Sequence, residues 1–418
     1  MNYGLWSLVA LVVAIALGFT KKLNTGLIAI AFAVILGKMA GVKDSVIIAG
    51  WNTSLTMMLM GVTFLFSISQ TNGTLELLAR KVIALSGKKT WMIPIAVYLL
   101  STFLAAIGPG TIPVMALMVP LAMALAAELD ISPLMLAPIA VLGACAGGIS
   151  PIAPTGIIGL ELAAKQGFSG FAMQYFVNSL MGETIFALLL YLVLGGYKIK
   201  SEKELSLGEL PAFNKQQTIT LFGIAALVAI VLLTKSNVGL IAFCIGVVLL
   251  VLKVADERKT IATMPWGTII LVCGVGVLMN LAIKLKGIEI LAQFLAQFMN
   301  EKTASPIIGL TAGIMSWFSS TSGVVMPTLI PTVSELMKTL PNVSALDLIS
   351  SITITAHTAG ISPASTGGAL ALAAYAANAS ISPEKQNKLF AEMFIVAVCG
   401  VLCLAGLAWL GLYRVWGI

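Results

Sequence analysis

Apolar stretches long enough to cross a bilayer recur from the first residues of this chain to the last, joined by short polar segments. In the first half the pattern predicts spans at about 4–20, 23–41 and 52–71. The segment 74–86, opening Thr74-Leu75-Glu76-Leu77-Leu78-Ala79-Arg80-Lys81, is too short and too charged to span and is expected to lie along the interface. Residues 90–127 are apolar on both sides of Gly108-Pro109-Gly110, a turn with no charged residue, which suits the tip of a re-entrant hairpin. A broken helix at 133–165 and a long helix at about 170–196 follow, and 197–216, the longest polar stretch, reads as a cytoplasmic linker. Residues 4–20 lack the basic leader and small-x-small site of a signal peptide, so they read as the first membrane helix.

The second half repeats this order. Spans are predicted near 217–234, 236–253 and 266–284, an interfacial helix at 287–300, a hairpin at 304–340 turning at Ser319-Ser320-Thr321-Ser322-Gly323, a broken helix at 345–377 and a last helix at 387–413. Residue matches at offsets of 209 to 215 support two repeats, 1–196 and 217–418: Trp51 with Trp266, Glu76-Leu77-Leu78-Ala79 with Glu289-Ile290-Leu291-Ala292, and Glu183 with Glu392. With each hairpin counting as no net crossing, each half has five spans. An odd number inverts the second half relative to the first.

The sharpest match is Gly148-Ile149-Ser150-Pro151 with Gly360-Ile361-Ser362-Pro363, continued by Ile152-Ala153-Pro154-Thr155-Gly156 and by Ala364-Ser365-Thr366-Gly367-Gly368. Proline lacks an N–H and clashes with the preceding turn, while glycine tolerates unwound backbone, so each copy breaks a helix in mid-membrane. Such a break persists only where its polar groups face protein, water or a ligand. Two hairpin tips and two breaks brought to the midplane by inverted symmetry predict a binding site between the halves. Helix N-termini there favour an anion, and C-terminal carbonyls a cation.

Composition narrows the class. Of 418 residues, 59% are hydrophobic and 10% charged, with a mean hydropathy of +1.03, which marks an integral membrane protein. The formal charge of +7 is spread over helix ends and reports topology, with no nucleic-acid partner implied. An outside amino terminus places 15 of the 24 Lys and Arg residues on inner loops, so both termini are expected outside. The five cysteines, Cys145, Cys244, Cys273, Cys399 and Cys403, lie in apolar stretches without metal-type spacing and are expected to be free thiols.

Candidate chemistry is concentrated at the breaks and tips. Thr111, Thr155, Ser320, Thr321, Ser322, Ser365 and Thr366 are candidate substrate ligands, joined by His357, the only histidine. Small and hydroxyl residues also let membrane helices pack closely, so each taken singly has a packing explanation. His357, whose counterpart is Cys145, contacts an anion, carries a coupling proton, or is a neutral ring bonded to a backbone carbonyl. Glu161, Glu183 and Glu392 are intramembrane carboxyls with either a functional or a helix-bonding role. The aspartates, Asp44, Asp130, Asp256 and Asp347, fall at span ends, against an antiporter built on a central Asp pair. There is no Walker A sequence, HExxH, zinc-type cluster or serine-nucleophile motif, so neither direct ATP use nor an enzyme is indicated, and no organic cofactor is expected.

Two halves, each with an interfacial helix, a hairpin and a Ser/Thr-rich broken helix carrying Gly-Ile-Ser-Pro, resemble the ion transporter superfamily. The arrangement is most similar to the divalent anion:sodium symporters and the MatC-like malonate and dicarboxylate carriers. In the symporters, Ser-Asn-Thr tips bind carboxylates and, with the breaks, two Na+ ions. Here the tips read Gly108-Pro109-Gly110-Thr111 and Ser320-Thr321-Ser322-Gly323, without the asparagine. The resemblance implies an all-α, elevator-type homodimer in a bacterial inner membrane that imports a small organic anion, most simply a dicarboxylate, with Na+ as coupling ion. It assigns the first Na+ site to Gly108, Gly110, Ser150 and Gly156, and the second to Ser319, Gly323, Ser362 and Gly367. A proton-coupled carrier, the membrane subunit of a tripartite carrier, a cation/proton antiporter and a channel-like protein remain as competing readings.

Overall fold

The computed structural model describes residues 2–21, 23–84, 89–199, 210–234, 236–317, 319–376 and 383–414. Among them the chain is all-helical. It opens with α1 (Tyr3–Lys21), α2 (Thr25–Met39), the short α3 (Asp44–Ile48), α4 (Thr53–Thr71) and α5 (Thr74–Ala84). Next come α6 (Ile93–Ala106) and α7 (Thr111–Glu128), joined at Gly108-Pro109-Gly110, then α8 (Pro133–Gly148), α9 (Pro154–Ala164) and α10 (Ala172–Val193). The second half runs α11 (Lys215–Thr234), α12 (Val238–Val251), α13 (Glu257–Thr263), α14 (Trp266–Lys284), α15 (Gly287–Ala296) and α16 (Ala304–Ser316). A π turn, Thr321–Val325, leads into α17 (Met326–Leu329) and α18 (Val333–Thr339), followed by α19 (Ala345–Thr358), α20 (Thr366–Ala376) and α21 (Pro383–Trp409). Residues 85–86 of the first interfacial segment, 200–209 of the linker and 377 of the second broken helix lie outside the described residues.

Among the described residues, five segments are long and apolar enough to cross a membrane: Asp44–Thr71, Thr111–Glu128, Ala172–Val193, Trp266–Lys284 and Glu384–Trp409. The protein is an integral membrane protein. Several expected spans are shorter than the sequence suggests. Helix α12 has 14 residues, which rise about 21 Å against a hydrocarbon core of about 30 Å. Helix α2 stops at Met39 because Gly41 takes a left-handed turn at φ +70°, which leads into α3, an element the hydrophobic pattern does not announce. Helix α13 is likewise unannounced. Its cap is Asp256, which accepts from the Lys259 N–H at 2.8 Å.

Two helix crossings rest on glycine. Helix α4 packs on α12 with Gly61 against Gly239, and α14 packs on α2 with Gly274 against Gly26. A side chain at Gly61 or at Gly274 would strike the facing backbone carbonyl, so the close approach requires glycine on both sides. Gly239 lies 213 residues after Gly26, and Gly274 lies 213 after Gly61. The α4–α12 and α14–α2 crossings therefore use glycines at one constant offset.

The remaining helices form the body that positions the site. Helix α6 packs along α8, and α16 along α19, with α10 and α21 flanking α8 and α19. Both interrupted helices end at Gly-Ile-Ser-Pro: α8 stops at Gly148 and α9 restarts at Pro154, while α19 runs through a 3-10 turn at Ala359–Ile361 and α20 restarts at Thr366. The core holds buried hydroxyls, among them Ser350, Ser351, Thr353, Thr355 and Thr358 on α19 alone.

Candidate functional site

Four helix N-termini meet at one cavity. Thr111 and Ile112 open α7, Thr155 opens α9, Ser320 caps the π turn that Thr321 and Ser322 begin, and Ser365, Thr366 and Gly367 open α20. All of them line the same space, of about 40 Å³, with Met115, His357 and Gly360 completing the wall. The eight candidate substrate ligands thus come together, and among the described residues no Lys or Arg lines the cavity. Each N-terminus leaves backbone N–H groups without helical partners and carries a partial positive charge, so the four together make an anion-attracting centre without a charged side chain.

Local bonds explain how the hydroxyls are held. Thr111 Oγ1 and Thr155 Oγ1 lie 3.4 Å apart, tying the first tip to the first break. In the second half, Thr321 donates to the Ala356 carbonyl at 2.9 Å, so the 2.8 Å contact between Ser316 and Thr321 has Ser316 as donor. Ser320 accepts from the Gly323 N–H at 3.1 Å, capping the turn. Thr111, Thr155, Ser322 and His357 are buried, Ser320, Thr321 and Ser365 half-buried, and Thr366 is exposed at the mouth.

The glycines at the breaks allow the backbone to close on itself. A side chain at Gly156 would strike the carbonyl oxygens of Ser150 and Ile149, and one at Gly368 would strike those of Ser362 and Ile361. Gly368 is therefore the positional equivalent of Gly156, at the same offset of 212 that relates Ser150 to Ser362. Gly367, expected at the second Na+ site, faces the Gly360 carbonyl and Val141 and lines the cavity. At the first tip, Gly108 (φ +137°) is pressed against the Phe66 ring and Gly110 (φ +77°) against Pro154.

The hydroxyls expected at the cation sites do different work from those in the cavity. Ser362 is fully buried, donates to the Trp317 carbonyl at 3.0 Å and accepts from the Ala364 N–H at 3.2 Å. Ser319, just past the end of α16, donates to the Met315 carbonyl at 2.6 Å. Ser150 is buried, with the Ile152 N–H 3.5 Å away. None of the three lines the cavity, and neither do Gly108, Gly110, Gly156 or Gly323. Of these glycines, Gly156 faces backbone carbonyl oxygens, while Gly108, Gly110 and Gly323 face the Phe66 ring, Pro154 and Leu271.

The symmetric carboxyls are not equivalent. Glu392 is partly exposed, with Lys388 3.8 Å away, and Glu161 is half-buried. Glu183 is fully buried and accepts from Thr358 at 2.8 Å. Asp347, read as a span-end residue, is also fully buried: Ser305 donates to it at 2.8 Å, and Arg414 Nε lies 2.7 Å from its other oxygen. Burial of these two could not be read from the pattern, because it follows from neighbouring helices packing on several sides of α10 and α19.

Residues 1–148 match a family model, that of the N-terminus of the dicarboxylate carrier protein MatC. The match ends at Gly148, where α8 breaks. The fold is similar to that of the Alcanivorax borkumensis YdaH transporter, whose crystal structure was described as revealing an unusual topology, with a TM-score of 0.60 over 88% of each chain and 12% identity. No curated protein matches the chain in sequence.

Proposed function

We propose that this protein is a secondary transporter that imports a small organic anion, in the first instance a dicarboxylate, together with Na+. The observation that carries the reading is the meeting of four helix N-termini and seven hydroxyl side chains at one cavity with no Lys or Arg lining it. Backbone N–H groups at helix N-termini favour carboxylate oxygens over cations, and the hydroxyls add donors to the same oxygens, which favours an anionic substrate. The MatC match over the first 148 residues and the transporter fold support a carrier of organic anions and not an enzyme.

Sodium enters as a co-substrate. The carbonyls of Ile149 and Ser150, and of Ile361 and Ser362, turn inward around Gly156 and Gly368, giving hard oxygen donors of the kind Na+ takes at unwound membrane helices. An anion held by N-termini and cations held by carbonyls a few ångströms away stabilise one another, which makes binding of each conditional on the other. The glycine-mediated exchange between halves supports the inverted repeat. In this reading α2, α4, α12 and α14 form a scaffold, and the body of hairpins and broken helices moves against it in elevator fashion. Homodimerisation through the scaffold, outside termini and a bacterial inner membrane belong to the same reading.

The test is uptake of radiolabelled malonate and succinate into proteoliposomes, with Na+ and pH gradients imposed separately. Accumulation that follows the Na+ gradient is expected. Uptake indifferent to Na+ and driven by the pH gradient would overturn the sodium coupling, and no uptake of either acid would overturn the substrate class.

A further inference from the structure

Of the eight buried side-chain atoms without a hydrogen-bond partner among the described residues, five fall along one seam: Asn178 Oδ1, Ser179 Oγ, Tyr413 Oη, Glu183 Oε1 and His357 Nδ1. Buried polar atoms in folded proteins are almost always paired, so a row of orphans needs an occupant that protein atoms do not supply. The seam lies between α10 and α19, which run side by side in the same direction. Asn178 donates to Ser350 at 3.0 Å, Gly182 faces Ile354, and Thr358 donates to Glu183 at 2.8 Å. Tyr413 closes its flank, with its carbonyl bonded to Asn178 at 3.1 Å and its hydroxyl against Gly182.

The two ends of the seam differ. One is the Asp347–Arg414 pair, where the Arg414 side chain is 41% exposed and so reaches solvent. The other is His357, which lines the anion cavity. Asp347 and Thr358 lie eleven positions apart on α19, a rise of about 16 Å. A His357 ring nitrogen, a Glu183 carboxyl oxygen and the Cys145 sulfur lie within 4.8 Å of one another, a gap that one water or a small rotation closes.

We propose that Glu183 and His357 form a proton-binding site in the wall of the anion cavity, fed from the Arg414 face through the α10–α19 seam. In the elementary step the O–H bond at Glu183 Oε1 breaks and an N–H bond forms at His357 Nδ1. His357 then releases its Nε2 proton into the cavity, and the Glu183 carboxylate is reprotonated along the seam by way of the Tyr413 hydroxyl. No electrons move, and one proton enters the seam for each one delivered. The other ionisable groups facing the pair are Cys145 from α8, Tyr98 from α6, and, beside Tyr413, Cys403 from α21 and Asp347 from α19. Delivery of this proton to a bound carboxylate rests on the transporter reading; the proton site itself does not.

The experiment is infrared difference spectroscopy of the purified full-length protein in lipid, with exchange from H2O to D2O and no transport substrate present. A protonated-carboxyl C=O band that shifts in D2O is expected in the wild type, with loss of that band in Glu183→Gln and a frequency shift in His357→Gln. Tyr413→Phe, which keeps the ring, is expected to slow the exchange. Absence of a Glu183-dependent band, a band that never exchanges, or exchange as fast in Tyr413→Phe as in the wild type would each overturn the proposal. Size-exclusion profiles and melting curves of the same samples identify a variant that fails to fold, in which case Glu183→Asp, expected to move the band without removing it, replaces Glu183→Gln. Because no transport substrate is used, failure here leaves the Na+-driven uptake assay to stand or fall by itself.

Discussion

Cys145 and His357 occupy equivalent positions in the two halves, 212 residues apart, and they touch: the Cys145 thiol donates to the His357 carbonyl at 3.4 Å. The last turns of α8 and α19 therefore meet at corresponding residues beside the cavity. Cys145→Ala is expected to lower stability by about 1–2 kcal/mol, from one lost bond and a small cavity, while Cys145→Ser keeps the donor and costs less. Thermal melts of both variants in detergent check the order.

Thr366→Ala and Ser362→Ala separate binding from scaffolding. Thr366 lines the cavity and is exposed, so its loss is expected to weaken apparent substrate affinity roughly 5–30-fold, equivalent to about 1–2 kcal/mol, with an unchanged melting temperature. Ser362 spends its hydroxyl on Trp317 and Ala364, so Ser362→Ala is expected to weaken transport through a lowered stability, by about 1–2 kcal/mol. Uptake kinetics and melts on the same preparations distinguish the two. A wild-type KM in Thr366→Ala would remove it from the site.

Gly368→Ala is expected to abolish transport, because the new methyl group meets the backbone oxygens of Ile361 and Ser362, which cannot swing away as a side chain would. Gly406→Ala is the control. It faces open space in α21, and alanine there gains about 0.5–1 kcal/mol of helix stability.

Arg414→Ala leaves the Asp347 carboxyl fully buried with Ser305 as its remaining side-chain partner, and is expected to cost about 2 kcal/mol. Asp347→Asn in the same background is expected to recover part of that loss. A double-mutant cycle read by chemical melts gives the coupling.

Na+ and malonate are expected to raise the melting temperature more together than the sum of their separate effects. Each ligand at 100 times its dissociation constant adds about 2.7 kcal/mol, and positive coupling adds to that. Strict additivity would argue against a shared site.

The positions of the helix breaks were legible because Ser-Pro between glycines has few other uses in an apolar run, and the copies share one offset. The grouping of hydroxyls was legible for the same reason. The crossings at Gly26, Gly61, Gly239 and Gly274 were not, since glycine is common in membrane helices and one sequence does not say which pair meets. Helix α3, with five residues, is too short to show a period. Glu183 and Glu392 looked alike in sequence and differ in burial, because α10 sits against α8 and α19 where the Glu392 turn of α21 remains partly open.

Between the hairpin tips and helices α4 and α14 lies a second, mostly apolar gap, bordered by Pro109, Pro113 and Pro154 on one side and by Leu59, Ile269 and Pro265 on the other. Proline has no N–H to offer, and Thr63, also on this border, gives its hydroxyl to Leu59 of its own helix at 2.7 Å. Surfaces of this kind hold each other mainly by shape, with Thr111, Thr155, Thr268 and Ser322 the other polar side chains on the border. Under the elevator motion proposed above, the gap would serve as a nearly dry bearing: displacement along it would cost contact area in one place and regain it in the next, with few directional bonds to act as a ratchet. The resting position of such a joint would then be set by what fills the neighbouring cavity.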